Sequence, residues 1–443
     1  MSGAASRPPI ELRLARAGLP PLPRTAWLEL DLDALRTNLE ILRAVVGPGV
    51  RVEPVVKADA YGHGAAPIAL ALEAAGADGL SVATLDEGLE LRAAGVTLPV
   101  LVLYPIPPDG VAEAARAGIA TSTGPGLLTA RLLAAAAAWN ASAGTGARPL
   151  EVHIEVETGL GRGGVLPDMV PTAVDVVLAA PGVRLAGVWT HLAAADDRDS
   201  ALGQDEAFGR ALAPLVDAVH WGPDAIRRHL AGSGGVLAAG LRRWDSVRTG
   251  LSVYGMVPDA LTPPAATAGR AAGLRPVMSL LARPVRVMEL PGGHGISYGP
   301  SFVTTRPSRI ATLPVGYGDG WRRDLSDQAE ALVRGVRVPL VGRVAMDAVM
   351  ADVTEVPGPA VTEDDEFVLL GEQEGERITA FDLAATAGTI SYEVVTAMAR
   401  RLPRVYHAAG SPVGIRTLAG GRSDWHASSS GTAISATSRS MPS

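Results

Sequence analysis

The chain has 443 residues, of which 47% are hydrophobic and 19% charged, with a formal net charge of -7 and no cysteine. That length exceeds what one hydrophobic core usually supports, so two domains are expected; the acidic balance argues against an electrostatic nucleic-acid binder, and the missing cysteine excludes a disulfide framework, a thiolate nucleophile and a cysteine metal site. No stretch reaches the uninterrupted apolar length of a membrane helix and the start lacks an apolar signal core, which reads as a cytoplasmic protein.

Residues 1–24 are proline-rich and read as a flexible leader. From Trp27 the sequence Trp-Leu-Glu-Leu-Asp-Leu alternates like a strand, and residues 33–46 carry apolar side chains at helical spacing, with Asp33 placed to cap them. Short apolar runs then recur at 52–56, 79–83, 99–104, 118–122, 152–156 and 185–190 and around His229, separated by alanine- and leucine-rich stretches such as 67–75 and 85–94. Strands alternating with helices predict βαβ units and a parallel sheet, and their number favours an α/β fold with a closed, TIM-like (β/α)8 barrel over residues 25–270 rather than an open doubly wound sheet. Over residues 271–418 the texture changes to short alternating segments broken by glycine and proline, at 285–290, 308–314, 330–334, 338–341 and 366–370. That pattern predicts a second, C-terminal domain of mostly antiparallel β-structure. Residues 419–443, rich in serine and glycine without periodicity, read as a disordered tail.

The most informative segment is Val-Val-Lys57-Ala-Asp59-Ala-Tyr61-Gly62-His63-Gly64, where an apolar strand delivers one lysine into a glycine-bracketed polar loop. A lysine in a partly desolvated pocket loses proton affinity and becomes a nucleophile towards an aldehyde, for which pyridoxal phosphate is the obvious partner. Taken alone, the segment reads more readily as a surface lysine ending a strand, and His63 reads as loop architecture. Glu155-Val-Glu157-Thr158-Gly159-Leu160-Gly161-Arg162 ends another strand in a glycine-rich loop that presents one arginine, suited to gripping a carboxylate or to no more than a barrel turn. His191 follows a strand, Ser233 follows Gly232, Arg248 opens Arg-Thr-Gly250-Leu251, and Tyr298 stands between small residues in Ser297-Tyr298-Gly299. In a barrel, Lys57, Arg162, His191, Ser233 and Arg248 all fall at the carboxyl ends of strands, where functional residues collect. The eight histidines show no ligand spacing, so no metal site is expected.

Together these motifs resemble the alanine racemases from about Trp27 to about Leu418. The segment around Lys57 is similar to that family's cofactor-lysine motif, Thr158 to Arg162 to its T-G-M-G-R turn, Arg248-Thr-Gly250 to its R-x-G pattern, and Ser297-Tyr298-Gly299 to its S-Y-G motif. Further matches are Gly316-Tyr317-Gly-Asp319-Gly, Gly342-Arg343-Val-Ala-Met346-Asp347 and Thr389-Ile390-Ser391-Tyr392-Glu393. The resemblance implies a pyridoxal 5'-phosphate enzyme that racemises alanine with two bases, Lys57 for the D-enantiomer and Tyr298 for the L-enantiomer, supplying D-alanine for peptidoglycan. Tyr298 would work in the partner subunit's site, which implies a homodimer with shared sites.

By the same likeness Lys57, Tyr61, His191, Ser233, Arg248, Gly250, Leu251 and Tyr392 would meet the cofactor. Arg162 and Met346 would meet the substrate, while Glu155, Tyr317, Arg323, Arg343 and Asp347 would support the site or line its entry. Arg248 would face the pyridine nitrogen; a permanently charged guanidinium there disfavours protonating that nitrogen, which favours racemisation over transamination. Two departures stand out. Glu155 occupies a position where many members carry a carbamylated lysine, so the glutamate would supply that anion permanently; Gly232 replaces a common asparagine. A racemase of wider substrate range is the nearest alternative. A related barrel decarboxylase fits Arg248 poorly, and a pyridoxal-phosphate-binding homeostasis protein would lack the second domain that carries Tyr298.

Overall fold

The computed structural model describes residues 7–423 apart from 145 and 239. Eight short strands lie side by side, all parallel, in the order Arg51–Val52, Ser246–Val247, Arg227–His229, Val183–Trp189, Leu150–Glu155, Ile119–Thr123, Val100–Val102 and Leu80–Val82. A parallel bridge between Val55 and Ser81 joins the first strand's continuation to the last, closing the ring. Helices between the strands cover its outside, and valine, leucine and isoleucine side chains of the strands are buried on both faces, which is why the strands read as apolar runs. The eighth strand, Ser246–Val247, gave no sequence signal: two paired residues next to Trp244 and Asp245 form no apolar run.

The second domain is built on a twelve-stranded, mostly antiparallel sheet. Its middle corrects the expected domain division. Strand Ala26–Asp31, expected in the barrel, lies instead between Met278–Ala282, antiparallel, and Arg404–Ala408, parallel. Five of its residues are buried because both of its faces are covered. The helix that follows runs from Leu32 to Val46, and its cap is Asp31 rather than Asp33: the Asp31 carboxylate accepts from the Ala34 amide at 2.9 Å. Leu35, Leu39, Leu42 and Val46 form its buried stripe.

The stretch read as a flexible leader is packed from residue 10. Ile10–Arg16 is a helix whose Ile10 and Leu14 are fully buried, and Arg13 pairs with the buried Glu29 at 2.7 Å. The proline-rich composition hid this helix, whose burial comes from tertiary packing. At the other end Gly420–Ser423 forms a strand against Ser411–Thr417, so the order continues past residue 418; the rest of the expected tail, 424–443, lies outside the described residues.

Candidate active site

At the carboxyl end of the first barrel strand the chain makes an unusual turn. Ala58, Asp59, Ala60 and Tyr61, none of them glycine, have φ between +53° and +55°. Each left-handed residue with a Cβ costs roughly 1–2 kcal/mol, so the turn must be held from outside. Asp59 accepts from the Ala65 amide at 2.8 Å and pairs with Arg416 at 2.8 Å. Arg404 donates to the Gly62 carbonyl at 2.8 and 3.0 Å, and the Tyr406 hydroxyl donates to the His63 carbonyl at 3.0 Å. Gly62 is obligatory, since a Cβ there would stand 2.1 Å from the Val395 carbonyl oxygen. The second domain thus fixes the shape of the loop that carries Lys57.

Lys57 opens this turn and borders a cavity of about 300 Å³. Nine of the residues singled out from the sequence line it: Lys57, Tyr61, Arg162, His191, Ser233, Arg248, Gly250, Leu251 and Tyr392. Burial lowers the lysine's proton affinity, and the Arg162 and Arg248 guanidiniums lower it further, against an opposing pull from Glu87. Glu87 has two tasks: it closes a capping box with Thr84, and its carboxylate accepts from the Ala58 amide at 2.6 Å.

Arg248 is buried and wedged among acceptors. It donates to His229 Nδ1 at 2.5 Å, to the Thr190 carbonyl at 2.9 Å and to the Leu230 carbonyl at 3.3 Å, with His191 Nδ1 at 3.4 Å. Its guanidinium lies 4.5 Å above the Trp189 ring, and burial brings its pKa down to about 10, which still leaves it charged at neutral pH. His191 is held neutral, its pKa lowered to about 3 by burial and by Arg248, Arg162 and Lys57.

Arg162 pairs with Glu155 at 2.6 Å and faces the rings of Tyr104 and Trp189, each 5.6 Å away. Its loop is shaped by Glu157, whose carboxylate accepts from the amides of Gly159, Gly161 and Arg162 at 2.6, 2.9 and 3.1 Å. On the opposite wall the Ser233 hydroxyl accepts from the Ser252 amide at 3.0 Å, and the Tyr61 ring lies 6.2 Å from that of Tyr392. Gly250 is needed for closeness: a Cβ there would be 2.5 Å from the Tyr61 hydroxyl. Burial raises the pKa of both phenols, that of Tyr392 to about 12, so both remain donors.

The remaining sequence-derived residues lie elsewhere. Tyr298 is 73% exposed and Met346 53%, on the surface of the second domain. They belong to one cluster: the Ser297 hydroxyl donates to the Arg343 carbonyl at 2.6 Å, and the Gly318 amide donates to the Met346 carbonyl at 2.9 Å, which brings Tyr317 alongside. Tyr317 and Arg323 border a separate shallow depression, and Asp347 pairs with Arg401 at 2.8 Å. Within one chain, then, the barrel residues meet and the second-domain group, apart from Tyr392, does not join them. Tyr104, Trp189 and Glu87 were missed from the sequence. Trp189 closes a strand two residues before His191, and that position was the available signal.

A barrel with a half-buried lysine at a strand end, a charged arginine opposite and hydroxyls on one wall defines the class of enzymes that hold pyridoxal phosphate on a lysine. The donor set fits such a group: an amine for the aldehyde, an arginine towards the ring, and the Ser233, Tyr61 and Tyr392 hydroxyls for a phosphate. The family models for the N-terminal and C-terminal domains of alanine racemase match residues 30–258 and 277–406. Alanine racemase 2 of Caldanaerobacter subterraneus is 40% identical over 386 residues, covering 86% of this chain and 95% of its own. Among solved structures, alanine racemase from a D-cycloserine-producing Streptomyces lavendulae is 37% identical with a TM-score of 0.77, covering 88% of this chain and 98% of that one. The Bartonella henselae enzyme, solved with covalently bound pyridoxal phosphate, is 26% identical with a TM-score of 0.72, covering 87% and 100%. The chain belongs to the alanine racemase family.

Proposed function

We propose that the protein interconverts L- and D-alanine with pyridoxal 5'-phosphate, using Lys57 on one face of the α-carbon and Tyr298 of a second copy on the other. When bound, the cofactor supplies the electron-withdrawing group that acidifies the α-hydrogen. The chain's own part is to hold and move protons. Lys57, its proton affinity lowered by burial and two arginines, is suited to take the α-proton from one face while the Tyr298 hydroxyl of the second copy gives one to the other, the two exchanging roles in the reverse direction. Arg162, braced by Glu155, is suited to hold the substrate carboxylate.

The observation that carries the reading is the separation of Lys57 from Tyr298. The lysine lines the cavity, whereas the tyrosine stands 73% exposed among Arg343, Met346 and Tyr317, so a second copy is needed to bring that surface to the barrel mouth. A homodimer with two shared sites is therefore part of the proposal. So is a cytoplasmic location, supported by a chain without cysteine; no helix among the described residues is long and apolar enough to cross a membrane.

Borohydride reduction followed by peptide mapping, with racemisation assays on both alanine enantiomers, tests the reading. The expected result is the cofactor's mass on the peptide containing Lys57 and interconversion in both directions. Lys57 is the chain's only lysine, so a peptide left without that mass, or carbon dioxide release in place of racemisation, would contradict it. Serine and lysine assayed beside alanine separate a narrow from a broad racemase.

A further inference from the structure

We propose that Asp259 is a positioning residue for the cofactor's phosphate, clamping the helix that carries Tyr392 against the barrel mouth. The inference rests on the reading that the Lys57 cavity holds pyridoxal phosphate.

Asp259 follows the last turn of the barrel, and its partner lies 132 residues further along the chain. One carboxylate oxygen accepts from the Ser391 amide at 2.9 Å and the other from the Ser391 hydroxyl at 2.7 Å. Ser391 is 2% exposed and opens helix Ser391–Thr396. That helix has no side-chain cap of its own, and six residues are too few to hold a helical shape unaided, so the fixed point at its start is the barrel's carboxylate.

The next residue is Tyr392. Its side chain lines the Lys57 cavity beside Tyr61, and Thr396, a turn later, lines it as well. The same helix passes so close to Gly62 that no side chain fits there. Asp259 therefore sets the distance between one phenol of the phosphate wall and the Lys57 turn. A carboxylate near a phosphate would ordinarily repel it, but both oxygens of Asp259 are engaged by Ser391. Burial, and next the charge of Asp259, push the Tyr392 hydroxyl up to about 12, which keeps it a donor.

The test compares cofactor affinities of resolved apoenzyme for pyridoxal phosphate and for pyridoxal, which lacks the phosphate. Wild-type protein is first reduced with borohydride in the presence of pyridoxal phosphate; failure to label Lys57 would overturn the cofactor reading together with this inference. With labelling established, Asp259→Ala is expected to weaken pyridoxal phosphate about tenfold, the scale of a hydrogen bond to a charged group, while pyridoxal changes less than about twofold. Asp259→Asn keeps one acceptor oxygen and should recover part of the loss. Should Asp259→Ala not fold, Ser391→Ala, which removes only the hydroxyl half of the clamp, is expected to show a smaller loss confined to pyridoxal phosphate. Equal weakening of both ligands, or no weakening of either, would overturn the role of Asp259 and leave the cofactor reading intact.

Discussion

We propose that Glu155 tunes the site through Arg162, without itself touching what reacts. Buried at a strand end, it holds Arg162 at 2.6 Å and so keeps that guanidinium between the Tyr104 and Trp189 rings. Glu155→Gln keeps the shape and an acceptor but removes the charge that anchors the arginine. The expected outcome is a loss of roughly tenfold or more in kcat/KM with an unchanged thermal midpoint, read by steady-state kinetics and calorimetry on the same preparation. Unchanged kinetics would remove Glu155 from the site. Lys57, Arg162 and Arg248 were legible in the sequence because each follows a strand and lies within a few residues of glycine. Trp189 and Glu87 were not: a tryptophan in an apolar run reads as core, and a glutamate at the third position of a helix reads as a cap, which Glu87 also is. Their second roles depend on neighbours distant in sequence.

Among the elements, the left-handed turn after Lys57 is the most sharply imposed. Apart from Asp59, nothing in Ala-Asp-Ala-Tyr favours positive φ, and the glycines around it marked only a polar loop. The conformation comes from Arg404, Tyr406 and Arg416, more than 340 residues further on, so it had no local signature. This yields a prediction of unusual sign. Ala58 is exposed with φ of +53°, so Ala58→Gly relieves roughly 1–2 kcal/mol of strain against roughly 0.5–1 kcal/mol of added chain entropy. The variant is expected to be slightly more stable than wild type in urea, whereas glycine for alanine ordinarily destabilises. A lower midpoint by several degrees or a matching fall in urea would show that the turn is not strained. Strand Ala26–Asp31 makes a related point: its alternation was legible, its sheet was not, because pairing partners at 278–282 and 404–408 decide that.

At the scale of the whole molecule, the two domains are interleaved, with the first strand of the chain placed deep in the second domain's sheet and the second domain's arginines holding the barrel's lysine loop. The molecule also carries a titration signature. His63 and His407 have pKa values lowered to about 4 and His191 to about 3, while His153 and His229 lie well below their usual value, in each case mainly because burial disfavours the charged form. Unfolded, these groups bind protons below about pH 6.5, so the unfolded state takes up more protons than the folded one. Stability is therefore full above that pH and is lost as pH falls towards about 4, by roughly 1 kcal/mol per pH unit for each histidine. Urea unfolding followed from neutral pH downwards should show a midpoint that begins to fall near pH 6.5; a midpoint flat to pH 5 would show that these histidines are not buried neutral.

The central claim is that each active site draws Lys57 from one subunit and Tyr298 from the other. It is tested most directly by combining two inactive variants, Lys57→Ala and Tyr298→Phe, under conditions that exchange subunits. A mixed dimer then contains one site with both bases intact and one with neither, so an equal mixture should regain about a quarter of wild-type racemase activity, from half of the dimers each carrying one working site. A mixture as inactive as its components, with subunit exchange verified, would contradict the shared site.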